Sequence, residues 1–439
     1  MKNFVECTTS DIDFFTEPPY ENVIRDGQYN KIEPTVKSDK QIIFDIPPNP
    51  KFLDLSKSSI VIKIKITTDE GAELTDASPV GPVNNTFHSI IRQATVFINN
   101  TEIENSDDGY FMRAITSAIL NHGIDAKNSF LQNSLYIPDT PGQMENFAIP
   151  KEITKADDIK YPVPLYNKGF LKRREILLKG KGFLELRGVP ECDIFTNGKF
   201  LLNQQKFTLN LKLNDPVSFL MGEGKYKMTV ISAHFWAKQV TPNDNILNSV
   251  ALNLEKRFAV YNTNKVTANV IKLKLEGRAE TVNIVSGILP KRAVFALVDF
   301  EASGVGQINK NPYFFHHFDM KGFDLRENGS TAPHSHALEF NFDQNEYLDG
   351  YWSLFEGIDK PFLGNCISRE DYANGYTFLA FDMTPNGECE PFQPVTKNGT
   401  LTARITVGKV PTTAVGLFCY LEYNETIRFD KERNVVKLT

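Results

Sequence analysis

A chain of 439 residues with 41% hydrophobic content is long enough for two domains of ordinary size, each with its own core. A formal net charge of −6, from 48 basic and 54 acidic residues, argues against sequence-specific nucleic-acid binding, because the protein as a whole does not attract a polyanion. Five scattered cysteines with no C-x-x-C pair argue against a disulfide scaffold or cysteine zinc site, and the absence of any long apolar run or apolar leader argues against a membrane span or signal peptide.

Residues 1–38 mix acids, Pro18-Pro19 and isolated aromatics with no sustained period. They predict an N-terminal arm on a folded surface or a neighbouring subunit, with Phe14, Phe15, Tyr20 and Val23 as contacts, or else a frayed terminus. Gln41 to Ile46 reads as a strand stopped by Pro47-Pro48. Ile60, Ile62, Ile64 and Ile66 alternate with Val61, Lys63, Lys65 and Thr67 as a second strand. A loop over 71–85, a strand over 90–98 and an Asn99-Asn100 turn follow. From Tyr110 to Ile124 the period changes, since Phe111, Ile115, Ala118 and Ile119 recur at helical spacing. Asp107 or Asp108 is placed to cap that helix and Gly123 to end it. Residues 125–168 hold several prolines and little period, predicting a surface projection, a partner contact, or short strands in irregular loops. Residues 169–187 read as strands around Gly180-Lys181-Gly182.

Phe207, Leu209, Leu211 and Leu213 alternate with Lys206, Thr208, Asn210 and Lys212, so a strand here buries the first set and wets the second. Asn214-Asp215-Pro216 then turns the chain into a β-rich run over 225–240 containing Met228, Val230, Ile231, Phe235 and Trp236. Residues 242–257 predict a linker helix capped by Asn243, with Ile246, Val250 and Leu254 on one side, packed between domains. The second half predicts strands over 266–275, 293–300, 313–325, 376–381, 401–407 and 415–423. A short helix over 346–355 interrupts them, with Trp352 and Phe355 as buried residues. The halves match in element order, 206–213 answering to 401–407 and 227–235 to 415–423, without a residue-level repeat. The fold class is all-β, with tandem sandwiches over 39–241 and 258–439.

Chemical motifs are sparse. His334-Ser335-His336 followed by Glu339 is similar to a cupin metal set, but the glutamate comes too early and no later histidine completes it, so loop histidines are expected. His316 and His317, being adjacent, predict one packed and one exposed ring. Gly222-Glu223-Gly224-Lys225 lacks the spacing of a phosphate loop and reads as a glycine turn. Lys172-Arg173-Arg174, with Lys179 and Lys181, is the densest basic cluster, fitted to non-specific nucleic-acid contact, a subunit contact or solvent. Asn84, Asn99, Asn328, Asn398 and Asn424 begin N-x-S/T triplets and read as unmodified chance matches.

Five segments carry a resemblance: Val83-Asn84-Asn85-Thr86-Phe87-His88-Ser89, Leu171-Lys172-Arg173-Arg174, Leu289-Pro290-Lys291-Arg292, Asn311-Pro312-Tyr313-Phe314 and Ile367-Ser368-Arg369-Glu370-Asp371-Tyr372. Together, over nearly the whole chain, they resemble the major capsid proteins of Polinton or Maverick elements and adintovirus-like viruses. The resemblance implies a double jelly roll, two eight-stranded sandwiches with short helices in loops. It also implies homotrimers of pseudo-hexagonal outline that tile an icosahedral virion shell assembled inside the host cell. Neighbouring capsomers, penton and minor capsid proteins are the implied partners, and the family supplies no catalytic residue or cofactor. A β-sandwich carbohydrate- or ligand-binding protein and a cupin-like metalloenzyme are the other classes, marked by convergent polar groups in a concave site or by a metal or catalytic constellation.

Overall fold

The computed structural model describes residues 21–150, 165–304, 306–358, 365–385, 387 and 395–438. The alternation at Phe207–Leu213 forms a strand whose four apolar side chains are buried between Gln41–Ile46 on one side and Ile91–Ile98 on the other. Ile91–Ile98 turns at Asn99 and Asn100 into Thr101–Asn105. Both turn residues have positive φ, 49° and 66°, a conformation that asparagine tolerates and a two-residue hairpin requires. A second sheet has the order Ile24–Ile32, Tyr226–Pro242, Phe52–Thr68 and Phe183–Gly188. The four isoleucines at 60, 62, 64 and 66 lie in its long strand and are fully buried. The sheets close face to face, with Phe44 and Phe207 of the first meeting Phe235 of the second at ring separations of 5.9 and 6.2 Å. Four long strands facing four, with the short Val36–Lys37 added at the edge of the first sheet, make in this antiparallel order a jelly roll.

The second half repeats the arrangement. Ala259–Lys272, Val415–Phe429, Arg292–Asp299 and Phe378–Asp382 are neighbours in one sheet. Ala279–Ile288, Asn398–Val407, Met320–Glu327 and Ser330–Thr331 are neighbours in the other. Phe295 crosses to Phe323 at 5.3 Å to fill the space between them. With strands of four residues or fewer set aside, in both rolls the first strand pairs with the last and the second with the last but one, so Phe207–Leu213 and Asn398–Val407 hold equivalent places, as do Tyr226–Pro242 and Val415–Phe429. Among the described residues, strands pair only within their own roll.

Several expectations are corrected. The arm over 1–38 is not all arm, because Ile24–Ile32 is an edge strand of the first roll, paired with Tyr226–Pro242. Most of its side chains face water, so the pairing leaves no apolar period to read. Val23 is 43% exposed beside it, and Phe14, Phe15 and Tyr20 lie outside the described residues. The linker helix is present at Asp244–Leu254, but only Leu254 is fully buried and Leu252 is 59% exposed, so it lies on the surface and is not enclosed between the rolls. Lys168–Lys179 is a helix and not a strand. Within 313–325 only Met320 onward is strand, because Phe318 and Asp319 take positive φ and break the extended run. His316 and His317 consequently stack on one another at 4.4 Å, both half-buried, instead of facing opposite ways.

The helix predicted near 350 spans Leu348–Gly357, yet Trp352 is 65% exposed, its indole nitrogen donating to Glu356 Oε1 at 2.6 Å. The face turned to the sheet carries Gly350, Ser353, Leu354 and Gly357. A Cβ at Gly357 would stand 2.3 Å from the carbonyl carbon of Ala380, so the helix approaches closely only through its small residues. The expected caps at Asp107 or Asp108 are also absent, since the helix Tyr110–Asn121 begins after Gly109 and ends before Gly123.

Candidate functional site

The helix Lys168–Lys179 starts where Asn167 Oδ1 accepts from Phe170 N at 3.1 Å, a capping bond that satisfies one free donor of the first turn. Its inward stripe is Phe170, Arg173, Arg174 and Leu177. The exposed basic triple expected at 172–174 is therefore corrected, because only Lys172 faces water. Arg173 is 0% exposed, donating to Pro82 O at 2.9 Å, to Ile137 O, and to Asp139 Oδ1 at 2.6 Å. Arg174 donates to the carbonyls of Asp76 and Ser78. Two guanidiniums thus tie down loops of the first roll.

Asp139 is the centre of a larger network. Its carboxylate also accepts from Asn167 Nδ2 at 2.8 Å and from Asn311 Nδ2 at 2.9 Å, and its carbonyl accepts from Tyr376 OH at 3.2 Å. Asn311 and Tyr376 belong to the second half, so one buried carboxylate joins both halves. Nearby, Tyr313 OH lies 2.6 Å from Ser89 Oγ, another buried contact across the halves. Asn84 Oδ1 accepts from Ile137 N at 2.8 Å, and Asn85 Oδ1 from Ser134 Oγ at 2.9 Å. Three of the five resembling segments, around residues 83–89, 171–174 and 311–314, therefore converge on one seam. Asn84 is buried there, so its N-x-T triplet is closed to a glycan in the folded chain.

A second node lies where the helix Tyr110–Asn121 meets Ala259–Lys272. Arg113 is 3.0 Å from Glu104 Oε1 and 2.6 Å from Asp193 Oδ1, all three side chains being buried or nearly so. Asp193 Oδ2 accepts from Val266 N of the second roll at 3.2 Å. Burial works against the charge of Arg113, but Asp193 and Glu104 outweigh it and raise the guanidinium well above the ordinary arginine value. Burial pushes the Asp193 carboxyl well above the usual range against the opposing pull of Arg113. Sequence reading missed both nodes, whose members are single polar residues far apart in the chain.

His88, within the 83–89 segment, lines a cleft of about 530 Å³ shared with Tyr29, His122, Phe130 and Arg187. Tyr110 OH accepts from Glu191 N at 3.0 Å and is hydrogen-bonded to His88 Nδ1, also 3.0 Å away. Burial pushes the imidazole pKa from 6.5 down to about 3. The unfolded chain then binds an extra proton between those values, and stability is lost as pH falls from 6.5 toward 3, by about 1.4 kcal/mol per pH unit. Thermal unfolding from neutral pH to about pH 5 should show a loss that includes this contribution beside those of His316 and His317, whose pKa values burial also lowers, and His88→Gln should reduce the slope by about that amount.

The other motifs are local. His334 meets the edge of Phe381 at 5.8 Å and His336 bonds Ser335 Oγ at 2.7 Å; no three potential metal ligands gather among the described residues. Gly222 and Gly224, at φ of 149° and 100°, make the turn between Leu220–Gly222 and Tyr226–Pro242. No described helix is long and apolar enough to cross a membrane.

No family model matches the chain. An uncharacterized protein of Caenorhabditis elegans is 22% identical over 407 residues, covering 88% of this chain and 90% of that protein. Among solved structures, a chain of the Sputnik virophage superposes with a TM-score of 0.60 at 14% identity, covering 99% of this chain and 93% of its own. A chain of the PBCV-1 virus capsid gives 0.56 at 9% identity, covering 97% and 100%. The mavirus major capsid protein gives 0.54 at 10% identity, covering 99% and 95%. With the strand order of both rolls and likeness along the full length, the chain has the double jelly-roll fold of these viral proteins.

Proposed function

We propose that the chain is a major capsid protein whose homotrimers, pseudo-hexagonal in outline, tile an icosahedral virion shell. The observation that carries this reading is two jelly rolls of equivalent strand order, joined by buried charges and matched end to end by viral capsid chains. Three such chains bring six similar rolls around one axis, and a rigid seam keeps that outline regular. The first roll runs from Ile24 to Pro242 and the second from Ala259 onward, with the surface helix Asp244–Leu254 joining them.

The seam residues act structurally in this reading, so the protein works by contact and not by catalysis. Its partners are its own copies, neighbouring capsomers, and penton and minor capsid proteins, met during assembly inside the host cell. Contact of the basic cluster with nucleic acid or a neighbouring subunit falls to Lys172, Lys179 and Lys181, which face outward. Light scattering on the purified chain over a concentration series tests the reading. Three chain masses, held on dilution, is the expected result, and a monomer at every concentration contradicts it.

A further inference from the structure

Val415–Phe429 is the central strand of its sheet, with Ala259–Lys272 on one side and Arg292–Asp299 on the other. Asn264 lies opposite Asn424, two positions along from Glu422, so Glu422 and Asn424 share a face of the central strand. Lys291 sits just before Arg292, its backbone pinned by Lys291 N to Glu422 O at 2.8 Å and Met383 N to Lys291 O at 2.9 Å. The Lys291 side chain is 5% exposed and crosses the central strand. Its Nζ donates to Asn264 Oδ1 at 2.8 Å and lies 3.1 Å from Glu422 Oε1, while Arg292 Nη1 is 3.2 Å from Glu422 Oε2.

A primary amine, a carboxamide and a carboxylate are thus within mutual reach on and beside paired strands, the lysine and glutamate buried and the asparagine partly so. We propose that Lys291 and Asn264 condense into an intramolecular isopeptide bond, with Glu422 as the proton carrier. Glu422 takes a proton from the Lys291 ammonium, and Arg292 balances the carboxylate before and after. The Nζ lone pair attacks Asn264 Cγ, forming the new C–N bond and placing the electron pair of the carbonyl on oxygen. The carbonyl re-forms as the Cγ–Nδ2 bond breaks. Nδ2 takes the amine's second proton and the proton held by Glu422, and leaves as ammonium. Overall, lysine ammonium and asparagine carboxamide give a secondary amide and ammonium, with Glu422 regenerated and no external oxidant or co-reactant consumed.

Near-attack placement is the main requirement of such a step, because bringing reactants into contact at fixed orientation is the largest entropic part of its barrier. The product would clamp Ala259–Lys272 to the entry of Arg292–Asp299 across the central strand, closing the second roll covalently. This inference rests on the second roll alone and is independent of the capsid reading.

Intact mass and peptide fragmentation of the purified full chain test it after incubation at neutral pH. Expected are a mass lower by one ammonia than the sequence and a peptide pair joined at Lys291 and Asn264. Lys291→Arg keeps a cation beside Glu422 but has no primary amine, so it should return to the sequence mass. Asn264→Asp should lose water in place of ammonia. Full-length wild-type chain at its sequence mass, with Lys291 and Asn264 in separate unmodified peptides, overturns the proposal. Ammonia loss that persists in Lys291→Arg overturns it equally, and if that variant does not fold the wild-type peptide map decides alone.

Discussion

Asp139→Leu is expected to destabilise the chain by about 3–5 kcal/mol, the range for removing one partner of a buried ion pair. Arg173 is fully buried and cannot turn to water, so the variant leaves a guanidinium with only carbonyl acceptors. Asn167 and Asn311 each lose a charge-assisted acceptor as well. The denaturant midpoint should fall, and because Asn311 reaches the Asp139 carboxylate from the second half, the two rolls should begin to unfold in separate steps. Adding Arg173→Met should recover part of the loss, since the uncompensated charge disappears with its partner. An unchanged midpoint in Asp139→Leu would show that the network contributes nothing to joining the halves.

Arg113→Met should cost a similar amount at neutral pH, about 3–5 kcal/mol, for a different reason. Here a cation is removed from between two carboxylates, Glu104 and Asp193, which then repel each other in a buried site. The loss of Arg113 removes the charge that opposes the raised affinity of buried Asp193 for a proton, so the folded variant holds that proton more readily than its unfolded state. Its stability relative to the wild type should therefore recover as pH falls and worsen as pH rises. Paired denaturation curves at neutral and mildly acidic pH check both the size and the sign. A penalty that grows on acidification contradicts the ionic account of this node.

How much of this was readable follows from what each element uses for burial. Phe207–Leu213 buries every second residue and was plain, and the matching places of the closing strands in the two rolls followed from element order. Ile24–Ile32 has little apolar alternation because it is an edge strand held by backbone pairing to Tyr226–Pro242. Lys168–Lys179 was misread because two positions of its buried stripe are arginines, so the apolar period of a helix is broken where the packing is tightest. Trp352 misled in the opposite sense, since the helix approaches its sheet through Gly350 and Gly357 and turns the largest side chain outward. The Asp139 network left no local pattern, because Asp139, Asn167 and Asn311 meet only in three dimensions. The resembling segments around 83–89, 171–174 and 311–314 marked the places where it forms but not what they do.

Electron microscopy of the purified protein tests the central claim most directly. Threefold particles with a hexagonal outline, alone or tiled into closed shells, are the predicted result. Isolated two-lobed particles with no threefold arrangement at any concentration would contradict it.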